Sequence, residues 1–264
     1  MPHLLIFGLG YTAGRIAERL RGKGWVVSAT RREAGEGAIA FNDREAVSAA
    51  IGDATHILSS VPPVADSDPV LDLYGEALTA APWIGYLSST GVHGDTGGAW
   101  ADESAPIGGG RRQARAEADA RWQAMGDAVR VFRLPGIYGP GRSVLDRIRA
   151  GKAHRIDLPD QIFSRVHVDD IVAGVVGALG GPSGVYNLAD DEPAPHNDVI
   201  AYGCGLLDIK PPQFQTMDEA GLSEMARGFY AENRRIANGR AKRLLGWAPR
   251  YPSYREGLKA ILAH

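Results

Sequence analysis

The chain has few of the features that mark several large protein classes. Its single cysteine, Cys204, excludes an intrachain disulfide and any metal site that needs several thiolates. A net charge of −2 produces no strong overall field that would attract nucleic acid or an anionic membrane. No run of about 18 apolar residues is present, as a membrane-spanning helix would require. We therefore predict a cytoplasmic protein without nucleic-acid or membrane partners.

The pattern of short apolar runs predicts an α/β fold. Such runs alternate with amphipathic segments through the first two-thirds of the 264 residues. The first run, "HLLIF", predicts a strand rather than a signal peptide, because no basic leader precedes it. Buried strands that alternate with helices are typical of a doubly wound parallel sheet, the Rossmann fold, with helices on both faces.

No linker composition divides the chain, so we expect a single domain over residues 1–264. Within it, a Rossmann core is predicted over roughly residues 1–140 and 165–190, and a small substrate lobe over roughly 141–164 and 191–264. Asp169 and Asn197 are predicted helix N-caps. Trp247 is expected in the small core of the lobe.

The segment "IFGLGYTAG" predicts a dinucleotide-binding turn. It follows a predicted strand and opens a predicted helix, which is the context that this glycine pattern requires. The first glycine permits the tight turn, and the second lets the backbone approach a pyrophosphate at the helix N-terminus. The predicted contacts of this segment with the cofactor are Gly8, Gly10, Tyr11, Thr12 and Ala13.

The end of the second strand, "SATRRE", favours NADP over NAD. NAD-binding members of this fold place an acidic residue about 20 positions after the glycines, and Thr30 stands near that place. Arg31 and Arg32 follow it, and a guanidinium pairs well with a 2′-phosphate. NAD stays the alternative, because Glu33 is close by.

Five motifs in one order resemble the extended short-chain dehydrogenase/reductase superfamily, the group of NAD-dependent epimerases and dehydratases of nucleotide sugars. They are the glycine turn followed by "SSTGVHG", "RLPGIYGPG", "VHVDDIV" and "YNLADDEP". The resemblance covers almost the whole chain. It implies that Ser89 hydrogen-bonds the substrate oxygen beside the nicotinamide, a role that suits a hydroxyl because it both donates and accepts.

The chain departs from that family at its proton donor. The family has tyrosine and lysine spaced Y-x-x-x-K on the next helix, but no tyrosine occurs between Tyr86 and Tyr138. One alignment puts Arg111 and Arg115 at these two positions, and a shift by two puts Gly109 and Gln113 there. Arginine stays protonated and cannot replace a titrating phenol.

Two other residues are candidates for parts of the missing machinery. His93 lies four residues beyond Ser89 and has a suitable intrinsic pKa, although packing or capping is the simpler role. Arg115 is a candidate for ribose or phosphate contact, and an i,i+4 pair with Asp119 is the alternative.

Further contacts follow from position along the predicted sheet. Ser60 and Val61 end a strand beside the expected crevice, and the backbone of Pro135 and Ile137 is predicted to contact the nicotinamide. No metal site is expected, because Asp169 and Asp170 are explained by a helix start. The substrate-lobe arginines, which would suit an anionic substrate, are Arg142, Arg147 and Arg165.

Two functions of different classes follow. One is an NAD(P)-dependent oxidoreductase or epimerase that acts on a small molecule with a carbonyl or hydroxyl group, or on a ligand like a nucleotide sugar. The other is a catalytically silent NAD(P)-binding sensor or scaffold, which the missing tyrosine favours. The sequence leaves the oligomeric state open; a homodimer is one alternative, because such folds often pair through long helices.

Overall fold

A seven-stranded parallel sheet forms the centre of the protein. The computed structural model describes residues 1–35, 37–65, 67–108 and 113–263. The strands of the sheet, in spatial order, are β11 (Gly184–Asn187), β7 (Val129–Leu134), β5 (Ile84–Ser89), β4 (His56–Ser59), β1 (His3–Phe7), β2 (Val26–Arg31) and β3 (Ile39–Ala40). The doubly wound α/β fold predicted from the sequence is confirmed.

Six short strands form three further parallel pairs. They are β8 (Gly136–Tyr138) with β10 (Arg165–His167), β9 (Arg155–Ile156) with β12 (Phe214–Gln215), and β6 (Trp100–Ala101) with β13 (Arg235–Ile236). The last pair joins the segment that follows β5 to a segment near the carboxyl end of the chain.

Ten helices of the described residues surround these strands. They are α1 (Tyr11–Arg21), α2 (Arg44–Asp53), α3 (Pro69–Leu78), α4 (Gln113–Gln123), α5 (Val144–Arg149), α6 (Val168–Gly177), α7 (His196–Leu206), α8 (Glu224–Tyr230), α9 (Gly239–Leu245) and α10 (Tyr254–Leu262). A 3₁₀ turn over Thr90–His93 directly follows β5. No helix that these residues form has both the length and the apolar character needed to cross a bilayer.

The sheet buries both of its faces, which explains the near-continuous apolar runs of its strands. On one face, α1 and α6 supply Ile16, Leu20 and Ile171 to a core cluster. On the other face, α2, α3 and α4 supply a second cluster that includes Tyr74 and Trp122. Each large side chain so buried stabilises the fold by about 1.5–3 kcal/mol.

Two predicted helix caps are wrong. α6 begins earlier than expected, and its N-cap is His167, whose Nδ1 accepts the Asp169 N–H at 3.2 Å. The N-cap of α7 is Pro195, while the Asn197 amide instead holds both backbone polar groups of Ile156. The Asp169 side chain instead lies 3.4 Å from the Arg15 guanidinium, and sequence spacing indicates neither this partner nor Ile156.

A third cluster packs beyond the sheet, where α5, α7 and α10 contribute Leu145, Ile200 and Leu258. The division into core and lobe stays a prediction. Trp247 was expected in the core of the lobe. It lies instead in the main core, where its Nε1 donates to the Asp170 carbonyl at 2.9 Å.

Candidate functional site

The order of the strands creates a crevice at one edge of the sheet. From β1 the chain adds β2 and β3 on one side, and β4, β5, β7 and β11 on the other. The carboxyl ends of β1 and β4 therefore flank the point where the winding reverses, which is where ligands bind in open α/β sheets. Gly8 and Ser60 stand at these two ends.

The turn after β1 requires glycine at its first position. Gly8 has φ +81°, in the left-handed region that side chains disfavour. An ideal Cβ there would lie 3.0 Å from Val61 Cγ2 and 3.2 Å from Ser60 Oγ. The Ser60 hydroxyl also donates to the Gly8 carbonyl, so the predicted contacts Ser60 and Val61 buttress the turn.

Gly10, the second glycine, leaves room for a ligand. It is the N-cap of α1 and offers no side-chain acceptor to the first N–H groups of the helix. A Cβ on Gly10 would meet no atom within 4 Å. Open space beside unpaired N–H donors is the arrangement that accepts a phosphate, so these residues fit a dinucleotide. Thr12 and Ala13, in the same turn, are buried.

The end of β2 approaches the same turn. The buried Thr30 hydroxyl accepts the Gly8 N–H at 3.3 Å. Arg31 and Arg32 are exposed at the carboxyl end of this strand, beside the crevice.

Tyr11 joins the glycine turn to the loop after β8. Its hydroxyl donates to the Pro140 carbonyl at 3.0 Å, and the guanidinium groups of Arg15 and Arg142 lie 5.4 and 5.7 Å from its ring centre. A Cβ on Gly139 would stand 2.5 Å from the Tyr11 hydroxyl. Burial raises the pKa of Tyr11, so its hydroxyl stays protonated and donates.

Ser89 ends β5 at the mouth of a cavity of about 740 Å³. Its Oγ accepts the Gly91 N–H at 3.1 Å. Pro135, Gly136 and Ile137 line the same cavity, as does Thr90. Three residues predicted separately from the sequence, namely Ser89, Pro135 and Ile137, are therefore brought together.

The neighbouring Ser88 points to the other face, as alternation along a strand requires. Its hydroxyl donates to the fully buried Asp119 carboxylate at 2.6 Å. Arg133 holds both oxygens of this carboxylate, with N–O distances of 2.9 and 3.1 Å. This buried ion pair ties α4 to β7 directly behind Ser89.

His93 and Arg115 do not line the cavity. His93 is buried, its Nδ1 lies 3.2 Å from the Pro106 carbonyl oxygen, and burial lowers its pKa. Arg115 reaches the Tyr86 hydroxyl at 3.5 Å, and the alternative pairing with Asp119 is wrong because Arg133 occupies that carboxylate. Of the other aligned positions, Gly109 and Arg111 lie outside the described residues, and Gln113 begins α4 and donates to the Glu117 carboxylate at 3.0 Å.

The helices beyond the sheet complete the cavity. Arg142, Arg147 and Arg165, which were predicted to flank the substrate, all line it. No group of three metal-ligating side chains occurs in the part of the chain that the structure describes. Sequence reasoning missed several lining residues, because they come from segments without a motif: Phe163, His196, Leu222, Phe229, Tyr230, Arg234 and Ile236.

Comparison with known proteins shows which solved structures share the fold. No family model matches the chain. A conserved protein of unknown function from Silicibacter pomeroyi is 39% identical, with a TM-score of 0.88 over 100% of this chain and 99% of that one. Two structures at 16% identity and TM-score 0.80 share the fold: human epimerase family protein SDR39U1 with NADPH, and Bacillus anthracis dTDP-glucose 4,6-dehydratase with NAD. The human match covers 99% of both chains, and the bacterial match covers 100% of this chain and 96% of that one.

The chain therefore has the fold of these epimerase-family and dehydratase structures. Among curated proteins, a 3-diazoavenalumate denitrifying reductase from Streptomyces is 34% identical over 143 residues, which are 48% of this chain and 45% of that protein. The chain thus matches less than half the length of this curated relative. The resemblance drawn from five ordered motifs agrees with this likeness in fold to epimerase-family and dehydratase structures.

Proposed function

We propose that the protein is an NAD(P)-dependent oxidoreductase that acts on a small molecule in the cavity beside Ser89, with NADP favoured over NAD. The observation that carries the proposal is the placement of Ser89 in one cavity with Pro135 and Ile137, at the edge of the sheet where the glycine turn opens. The proteins similar to this chain include a reductase by name, and structures with the same fold were solved with NADPH or NAD, which supports the proposal.

Different residues of this chain would bind the cofactor and contact the substrate. The N–H groups at the start of α1 would hold the diphosphate, and Arg31 and Arg32, which are exposed at the end of β2, would pair with a 2′-phosphate. The bound dinucleotide supplies or accepts a hydride. Ser89 accepts a backbone N–H, so its own O–H is oriented to donate to a substrate oxygen. The substrate contact is assigned to Ser89, because His93 and Arg115 lie outside the cavity lining.

A second function, an NAD(P)-binding sensor, is favoured by the absence of tyrosine between Tyr86 and Tyr138. Catalysis and sensing differ in turnover. The test is oxidation of NADPH by the protein with a panel of carbonyl compounds, organic acids and sugar nucleotides, with cofactor affinity measured separately.

Replacement of Ser89 by alanine is expected to lower kcat by about 100-fold or more while NADPH affinity changes little. The exposed Ser48→Ala on α2 is the matched control and should leave both unchanged. Tight NADPH binding without turnover of any compound would favour the sensor. Turnover that is equal in Ser89→Ala and in the unmodified protein would overturn the role of Ser89.

A further inference from the structure

The cavity has an excess of positive charge. Arg142, Arg147 and Arg165 line it, and no ion pair joins any of them to a carboxylate among the described residues. Asp190, the carboxyl group that acts most strongly on Arg165, lies outside the lining, and burial raises its pKa to about 8, so it is largely protonated at neutral pH. Of the lining carboxylates, Asp146 accepts both the N–H and the hydroxyl of Ser143. The other, Glu232, is paired with Arg234 at 2.8 Å. The charge balance of the cavity therefore suits an anionic ligand.

Arg165 is the most deeply placed of these cations. The residue is 8% exposed, and its Nη1 donates to the carbonyl oxygens of Phe163 and Ala194 at 2.8 and 2.9 Å. Its Nη2 is buried without a hydrogen-bond partner among the described residues. A buried, charged donor that lacks an acceptor is costly, and the oxygen of an anion would satisfy it.

Aromatic rings surround this guanidinium. The Arg165 guanidinium lies 5.9 Å from the centre of the Phe163 ring, which meets Tyr230 edge-on at 5.6 Å and His196 at 6.1 Å. Burial lowers the pKa of His196 to about 3, so this imidazole is neutral and brings no second charge. The lining is otherwise rich in apolar side chains: Val144, Val199, Leu222, Ala226, Ile236 and Leu258.

We propose that the cavity binds a compact aromatic acid, the carboxylate of which pairs with Arg165 while its ring packs against Phe163 and Tyr230. The proposal rests on the proposed function and specifies its substrate class. A volume of about 740 Å³ admits such an acid in front of a bound nicotinamide.

The test compares ligands that differ only in charge. Cinnamate, cinnamamide and UDP-glucose are titrated by calorimetry into the full-length protein saturated with NADP⁺. The acid is expected to bind about 10- to 100-fold more tightly than its amide, which is the difference that one charged hydrogen bond produces. Equal binding of acid and amide, tighter binding of UDP-glucose, or no binding of the acid at millimolar concentration would each overturn the proposal.

Variants locate the ligand within the cavity. In Arg165→Gln the preference for acid over amide should disappear, whereas Arg149→Gln, an exposed arginine of α5 outside the cavity lining, should keep it. Retention of the preference in a folded Arg165→Gln protein would contradict the pairing. If this buried variant does not fold, Phe163→Leu keeps the charge and should weaken cinnamate about 3- to 10-fold relative to acetate. An unchanged ratio would refute the ring contact.

Titration of NADP⁺ and NAD⁺ distinguishes a failure of this proposal from a failure of the proposed function. Binding of NADP⁺ without binding of the acid would leave the oxidoreductase proposal intact and remove the acid. Absence of NADP⁺ and NAD⁺ binding would remove the oxidoreductase proposal, while the comparison of acid with amide can still be made on the cofactor-free protein.

Discussion

Individual side chains at the end of β2 decide the choice of cofactor in our proposal. Arg31 and Arg32 are exposed there, next to the buried Thr30 that supports the glycine turn. NAD-binding relatives of this fold use a carboxylate near this place to hold the ribose. Two arginines at this place instead favour the 2′-phosphate of NADP, because they are positively charged and the phosphate is negatively charged.

We expect Arg31→Ala/Arg32→Ala to weaken NADPH binding by about 10- to 100-fold, because charge-assisted hydrogen bonds to the 2′-phosphate are lost. NADH has no such phosphate and should bind as before. Quenching of intrinsic tryptophan fluorescence measures both affinities. Arg19→Ala, in the last turn of α1, is the control. An equal loss for the two cofactors would show that these arginines do not read the phosphate.

At the scale of elements, the sheet could be predicted and the cavity could not. Apolar runs such as "HLLIF" identify strands, because both faces of a parallel sheet are buried and the pattern is local. The caps of α6 and α7 were missed, since His167 caps α6 in place of Asp169, and Asn197 binds the backbone of Ile156, which is distant in sequence. The lining residue Phe163 comes from a loop without a motif, so only the folded chain brings it to Arg165.

The turn between β1 and α1 gives an element-scale prediction. Gly8 and Gly24 have nearly the same backbone angle, with φ +81° and +80°, but only Gly8 is crowded by a neighbouring side chain. Alanine at either position should cost about 1–2 kcal/mol of stability through backbone strain. Gly8→Ala should in addition displace Val61 and weaken cofactor binding at least tenfold, whereas Gly24→Ala should leave binding unchanged. Chemical denaturation and cofactor titration measure the two effects, and equal cofactor affinity in both variants would contradict this account of the turn.

At the scale of the whole molecule, buried ionisable groups set how stability depends on pH. Burial lowers the pKa of His167 to about 4 and that of His196 to about 3. Between these values and about pH 6.5, the unfolded chain binds protons at the two imidazoles and the folded chain does not. The two histidines therefore make the stability increase with pH over this range. Burial raises the pKa of the Asp190 carboxyl to about 8, which has the opposite effect.

We therefore expect stability to decrease between about pH 6.5 and 8, because the folded protein keeps a proton on Asp190 that the unfolded chain has released. The decrease is at most about 2 kcal/mol for one group over this interval. Urea denaturation at several pH values measures it. Asp190→Asn should abolish the decrease, and the exposed Asp127→Asn should preserve it. An identical decline in Asp190→Asn would assign the effect to other groups.

The wall of the cavity joins segments that lie far apart in the sequence. Tyr254 and Leu258 of α10 form part of its wall, and the Tyr138 hydroxyl donates to the Ser253 carbonyl at 3.4 Å. The glycine turn, by contrast, is built from the first quarter of the protein. Local unfolding of α10 would therefore open the cavity to water while the glycine turn keeps its contacts, so substrate selectivity depends on a part of the fold that nucleotide binding does not require.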